Sequence, residues 1–180
     1  MLRLFVAVTL PDAARASLAA LQAGVPGARW TPEENLHLTL RFIGELDEPD
    51  FEDAMAALAE VEAPAFELRL AGVGQFGDRR RAHVLWAGVR PSEPLTLLRG
   101  RVEAALARAG LPREERKFAP HVTLARLRDA PLERVGGFLA AHGLYQGPAF
   151  PVTSFELYSS RLAHAQAQHL MEAEYPLDRA

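Results

Sequence analysis

His37-Leu38-Thr39-Leu40 returns as His121-Val122-Thr123-Leu124, and in both copies the His and Thr stand two positions apart in an apolar stretch. Residues i and i+2 of a strand point to the same face. Each copy therefore presents one imidazole and one hydroxyl together. Leu36, Leu38 and Leu40, or Val122 and Leu124, go to the opposite side. A single such strand is most simply read as carrying a hydrogen-bonded core histidine. Two strands with the same insertion argue instead for one constellation assembled from both.

The repeat extends beyond the tetrapeptides. The two histidines are 84 positions apart (121 − 37 = 84), and the same shift carries Ala56-Ala57 onto Ala140-Ala141 and Pro64-Ala65-Phe66 onto Pro148-Ala149-Phe150. A shift of 80 sets Phe5–Pro11 over Leu85–Pro91, with identities at Ala7/Ala87 and Pro11/Pro91. The period is too long for a solenoid. The chain reads as one domain, residues 1–180, made of two similar halves joined near residues 76–82.

The coarse pattern repeats as well. Residues 2–9 alternate and are β-rich, which predicts a strand. Pro11-Asp12 opens an Ala/Leu-rich helix ending at Gly24, and Asp47–Pro49 open a second that runs to about Val61. Strands are predicted over residues 36–43 and 65–73. The second half reads as strand 83–89, helix 94–109 closed by Gly110, strand 120–127, helix 131–142 closed by Gly143, and strands 150–159 and 167–176. Short alternating strands of this kind fit an α+β protein with antiparallel sheets and helices on one face better than a buried parallel sheet.

Composition narrows the function classes. Hydrophobic residues make up 49% of the 180 residues, ordinary for a soluble globular chain that can bury an adequate core. No apolar run approaches a membrane span and no signal-type segment opens the chain, so the expected location is the cytoplasm. The absence of Cys excludes disulfides, thiolate metal sites and Cys nucleophiles. A net charge of −3 argues against a sequence-blind nucleic-acid binder. Local basic clusters remain at Arg79-Arg80-Arg81 and at Arg113, Arg116 and Lys117. Lys117 is the only lysine, and its surroundings do not resemble a lysyl-adenylate site.

The paired motifs suit acid/base chemistry. A neutral imidazole accepts a proton and an imidazolium donates one, with an ordinary pKa of about 6.5. Two of them can serve as base and acid in a displacement at phosphorus. The Thr hydroxyls can donate hydrogen bonds to non-bridging oxygens, where transition-state charge builds up. Thr is a poor zinc ligand and no third ligand shows regular spacing, so neither metal nor cofactor is expected. A Gly-x-Ser-x-Gly elbow and a phosphate-binding Gly-x-x-x-x-Gly-Lys loop are both absent from the sequence. His83, His142, His164 and His169 belong to no repeated constellation and read as structural or surface residues. Trp30, Phe42, Phe76 and Phe118 read as core, with Phe118 the one placed to stack on a nucleobase.

Arg3–Val8, Glu34–Gly44 and Phe118–Arg126, with both His-x-Thr motifs intact, closely resemble the two-histidine phosphoesterases. Within them the chain is similar to the RNA 2′,3′-cyclic phosphodiesterases, also called 2′-5′ RNA ligases. The resemblance covers nearly the whole chain. It implies a bilobal duplicated fold with pseudo-twofold symmetry and a central cleft holding both motifs. It also implies hydrolysis of a 2′,3′-cyclic phosphate to a 2′-phosphomonoester, with reversible 2′-5′ ligation. His37 would be the proton donor, His121 the proton acceptor, and Thr39 and Thr123 phosphate ligands. Arg126 also matches the family pattern as a phosphate contact, although strict alternation from His121 turns it to the other face unless the strand bulges. The expected partners are RNA 3′ ends or cyclic nucleotides, with the chain a monomer. The alternatives are a small cyclic phosphate such as ADP-ribose 1″,2″-cyclic phosphate, a 2′-5′ linked oligonucleotide, or a non-catalytic RNA-end binding module.

Overall fold

The chain crosses between its two sheets four times, so neither sheet is the product of one sequence half. The computed structural model describes residues 2–78 and 80–178; Arg79 of the basic loop lies outside the described residues. In chain order the elements are β1 (Leu2–Thr9), α1 (Asp12–Ala19), β2 (Ala28–Trp30), β3 (His37–Leu46), α2 (Glu48–Ala59), β4 (Phe66–Gly77) and β5 (Ala82–Val89). There follow α3 (Glu93–Arg108), β6 (His121–Leu127), α4 (Leu132–His142), β7 (Gln146–Val152), β8 (Ser154–Ala163) and β9 (Gln166–Pro176). One sheet has the order β3-β1-β8-β9 and the other β2-β6-β5-β4-β7. All the strand pairs are antiparallel.

Set side by side, β3-β1-β8-β9 and β6-β5-β4-β7 are the same arrangement. The fold is therefore α+β and bilobal, with the expected twofold relation. The lobes, however, exchange strands. β4 follows the first-half helices but pairs with β5 and β7, and β8 returns from the second half to pair with β1. The join near residues 76–82 is a hairpin turn inside the second sheet, not a boundary between lobes. The exchange makes each sheet depend on both halves of the chain.

The strand predicted over residues 150–159 is in fact two. The chain leaves the second sheet at the end of β7 and enters the first at Ser154, with the Thr153 carbonyl accepting from the Leu177 N–H at 2.8 Å. The first helix also stops early, at Ala19 rather than Gly24. Beyond it the Leu21 and Gln22 N–H groups turn back to the Leu18 and Ala19 carbonyls. The Gln22 amide then donates to the Thr31 and Leu124 carbonyls at 2.8 and 3.0 Å, which ties this segment to the second histidine strand.

The other helices follow their local signals. Asp47 accepts from the Asp50 N–H and Ser92 from the Leu95 N–H, both N-caps with a proline in the first turn. Gly110, at φ +91°, closes α3 in a backbone region that suits glycine. The helices lay apolar stripes on the outer faces of the sheets: Ala54 and Leu58 from α2, Leu95, Leu98, Val102 and Leu106 from α3, Val135 and Phe138 from α4. The inner faces of the sheets are left for the cleft. No helix among the described residues is long and apolar enough to cross a membrane.

Candidate active site

The two histidine strands carry the same irregularity at the same place. β1 pairs Val6 with Arg41 but Ala7 with Thr39, and β5 pairs Leu85 with Ala125 but Trp86 with Thr123. Leu40 and Leu124 are the extra residues of two matching β-bulges. Both bulges put two buried residues in succession, Leu40-Arg41 and Leu124-Ala125, and so reverse the alternation beyond them. Phe42 and Arg126 therefore return to the face of the histidines. Phe42 is 50% exposed, which corrects its assignment to the core. Arg126 is exposed on the cleft side, so the alternation that turned it away fails at the bulge. The registers also show that β1 overlays β5 with a shift of 79, not 80: Ala7 matches Trp86, and Thr9 matches Gly88.

The imidazoles are held identically. His37 Nδ1 is 2.6 Å from the Asn35 carbonyl oxygen, and His121 Nδ1 is 2.7 Å from that of Ala119. A carbonyl can only accept, so in each case Nδ1–H donates and Nε2 is left as the reactive nitrogen. Thr39 and Thr123 stand two residues further along the same faces, half-buried. The two strands pack against one another where the sheets meet, and the charge of His121 acts on His37. The structure thus brings the four residues of the two motifs to one cleft.

Their surroundings differ. His37 stacks on Phe5 at 4.7 Å, Phe5 stacks on Tyr158 at 5.4 Å, and His169 closes the cluster edge-on at 5.2 Å from His37. The Asn35 side chain donates to the Ala167 carbonyl at 2.8 Å, which draws β9 onto the segment before His37. Burial disfavours the imidazolium and lowers the His37 pKa to about 4; the positive charges of His169 and His121 act in the same direction, against the Asn35 hydrogen bond. His169 is itself lowered by burial. It is the residue that sequence reading missed, because its partners lie on strands far away in sequence.

His121 instead faces Phe76, edge-on at 4.9 Å, with Trp86 6.3 Å away. A Cβ on Gly74 would come within 2.2 Å of the Trp86 ring, and one on Gly88 within 2.8 Å of the Ala71 carbonyl oxygen. Only glycine at 74 leaves room for the indole, and only glycine at 88 lets the β4 backbone come this close. Phe76, at 39% exposure, is another cleft residue that sequence reading put in the core. Trp30 and Phe118 do pack against the core, and Arg99 covers the Phe118 ring at 5.3 Å.

The remaining sequence candidates fall elsewhere. His83 and His142 are away from this cluster, and His164 lies in the β8–β9 turn at φ +49°. Arg81 pairs with exposed Asp129 and Arg116 with Glu114. No cluster of three His, Cys, Asp or Glu residues suited to a metal occurs among the described residues.

A duplicated motif on a duplicated fold calls for a family in which both halves are the same unit. The LigT-like phosphoesterase model matches twice, over residues 8–86 and again over 89–167. The chain belongs to the LigT-like phosphoesterases. A Thermus thermophilus protein named RNA 2′,3′-cyclic phosphodiesterase is 39% identical over 172 residues, spanning 89% of this chain and 83% of its own. An Escherichia coli protein of that name is 34% identical over 172 residues, 93% of this chain and 92% of its own. Against two further relatives of the name, from Geobacillus stearothermophilus and Aeropyrum pernix, the chain spans only 41% and 61% of their length. The crystal structure of E. coli LigT complexed with 3′-AMP superposes with a TM-score of 0.79 at 30% identity, over 98% of both chains.

Proposed function

We propose that this chain is a metal-independent RNA 2′,3′-cyclic phosphodiesterase. The observation that carries the reading is the matched pair of His-x-Thr faces, each with Nδ1 anchored on the backbone and Nε2 left for chemistry. Water bonds to phosphorus while His121 takes its proton. The bond from phosphorus to O3′ breaks, and His37 gives its proton to the departing oxygen. The products are a 2′-phosphomonoester and a 3′-hydroxyl. Proton exchange with solvent then restores both imidazoles. Thr39 and Thr123 donate to the non-bridging oxygens, and Arg126 reaches the phosphate from beyond the bulge. A 5′-hydroxyl in place of water would give a 2′-5′ linkage by the same steps.

The donor role puts a condition on His37. Its pKa of about 4 leaves it neutral in the free protein at pH 7. A bound phosphodiester supplies the missing negative charge and raises it, so substrate brings the acid into its working state. His121 Nε2 and His37 Nε2 then act on opposite sides of one phosphorus.

A test supplies a 2′,3′-cyclic nucleotide in excess chelator and identifies the product. The expected product is the 2′-phosphate. No turnover, or a 3′-phosphate, overturns the assignment. The net charge of −3 favours a second reading, a small cyclic phosphate as substrate, because such a ligand needs no extended basic track. A kcat/KM for ADP-ribose 1″,2″-cyclic phosphate well above that for any RNA end would select it.

A further inference from the structure

The packing around His121 leaves a groove beside it. This groove, of about 900 Å³, runs past Trp86 and Phe118 to Arg90 at the end of β5 and to the first turn of α3. It continues into a second depression of about 450 Å³ that shares Arg90 and reaches Arg69 on β4. The two sections differ in chemistry. The first is walled by Phe76, Trp86 and Phe118 with Lys117 at its rim, and the second by Arg69 and Arg90. The Arg90 N–H donates to the Arg69 carbonyl at 2.9 Å, so the two arginines stand on adjoining backbone.

Charge singles out an occupant. Among the described residues, Lys117, Arg90 and Arg69 form no ion pair, whereas Arg15 and Arg41 near the first motif are each paired with a carboxylate. Glu93 and Glu67 border the second section beside Arg90 and Arg69 and balance them, so the groove's excess of one positive charge, in a chain whose total is −3, is Lys117. A groove with aromatic faces at one end and unpaired arginines at the other matches a single nucleic-acid strand, which alternates stacking bases with phosphates. The first section alone is the size of a small-ligand site, which runs to about 300–1,000 Å³, and the second adjoins it through Arg90–Glu93, so the two together offer length for more than one nucleotide.

Building on the phosphodiesterase reading, we propose that the RNA strand leading to the cyclic 3′ end lies along this groove, with bases on the Phe76–Trp86–Phe118 side and backbone phosphates at Arg90 and Arg69. The chain then prefers oligomers over mononucleotides, and that preference resides in these two arginines and not in the reacting centre.

The experiment compares kcat/KM for a 2′,3′-cyclic mononucleotide and for an oligoribonucleotide with the same cyclic end, across a salt series. Wild type is expected to favour the oligomer. Arg90→Ala and Arg69→Ala should each lower the oligomer-to-mononucleotide ratio roughly 3- to 10-fold, the loss of one charge-assisted phosphate contact. Each should also reduce the slope of log(kcat/KM) against log[salt] for the oligomer by about 0.7. Arg108→Ala, at the far end of α3, makes the same charge change away from the groove and serves as control. A wild type without oligomer preference overturns the proposal while leaving the phosphodiesterase reading intact. So does a ratio that falls no further in Arg90→Ala or Arg69→Ala than in Arg108→Ala. Failure to turn over either substrate would instead strike the phosphodiesterase reading itself. In that case direct binding of the oligomer to wild type and Arg90→Ala still decides on the groove, equal affinities overturning it.

Discussion

The two halves of the cleft share their backbone and differ in what fills it. Registers align Phe76 with Tyr158, Gly74 with Glu156 and Trp86 with Ala7. In the second half a large indole lies over a glycine, and open space remains beside His121. In the first half a small Ala7 faces a buried Glu156, which takes the Thr9 N–H at 3.1 Å and the Ser154 hydroxyl at 2.6 Å. The space around His37 is instead packed by Phe5, Tyr158 and His169. Duplication thus preserved the chemistry-bearing atoms and their Nδ1 anchors. The packing around them diverged into one closed half-site and one open one. Burial opposes charge on the His37 imidazole whereas His121 borders open space, so the two are suited to different steps.

If the halves are chemically complementary, removing either imidazole should be comparably damaging. His37→Ala and His121→Ala are each expected to lower kcat/KM on a 2′,3′-cyclic nucleotide by about 10²–10⁴-fold. The double variant should fall far less than the product of the two, because they act as one unit. Near-full activity in one single variant would break the comparison and make that motif structural.

Arg41 sharpens the contrast in stability. It occupies the bulge position held by Ala125 in the other half, and its guanidinium lies 2.5 Å from Glu103 with both side chains buried. It also donates to the Phe42 carbonyl at 2.7 Å and to the Pro112 carbonyl. One side chain therefore ties the first histidine strand to α3 and to the segment leading to His121. Removing it leaves Glu103 in the core with Arg99, at 3.6 Å, as its remaining cation and the Glu114 N–H, at 3.2 Å, as its hydrogen-bond donor. Arg41→Ala should cost about 3 kcal/mol in denaturant unfolding, the low end for a broken buried pair. Arg41→Met with Glu103→Leu should recover much of that loss, because no charge is then left buried.

The constellation was legible in the sequence because it is local: a period-two pattern written twice needs no long-range information. Capped helices such as α2 and α3 were legible for the same reason. The bulges were not, since neither Leu40 nor Leu124 is a residue type that marks one. Strict alternation without them misplaces Phe42, and the family pattern at Arg126 holds only with the bulge that the structure contains. The exchange of β4 and β8 was equally invisible, because pairing partners are chosen by tertiary packing and hydrophobic runs look alike in either sheet. His169 was read as ordinary for that reason. Its neighbours Phe5 and His37 come from strands more than 130 residues earlier.

The hydroxyls provide a finer probe of symmetry. Thr39→Ala and Thr123→Ala are each expected to lower kcat by about 10- to 10³-fold, as losses of single donors at a developing charge. A large difference between them would show that the phosphate leans toward one lobe, and steady-state kinetics on a mononucleotide separates the cases.

The smallest effect concerns the closed half alone. The folded protein holds His37 at about 4, below its ordinary 6.5, so between these values the unfolded chain binds more protons than the folded one. Stability from this group is therefore present above about pH 6.5 and is lost as pH falls toward 4. His169 adds to the depression through its charge, but burial is the larger cause. His169→Phe keeps a ring against Phe5 and His37 while removing that charge. The His37 titration, followed by NMR of the imidazole carbon-bound protons, should move upward and still stay well below 6.5. Should it return to 6.5, His169 and not burial would govern the closed half-site. No movement at all would reduce His169 to packing.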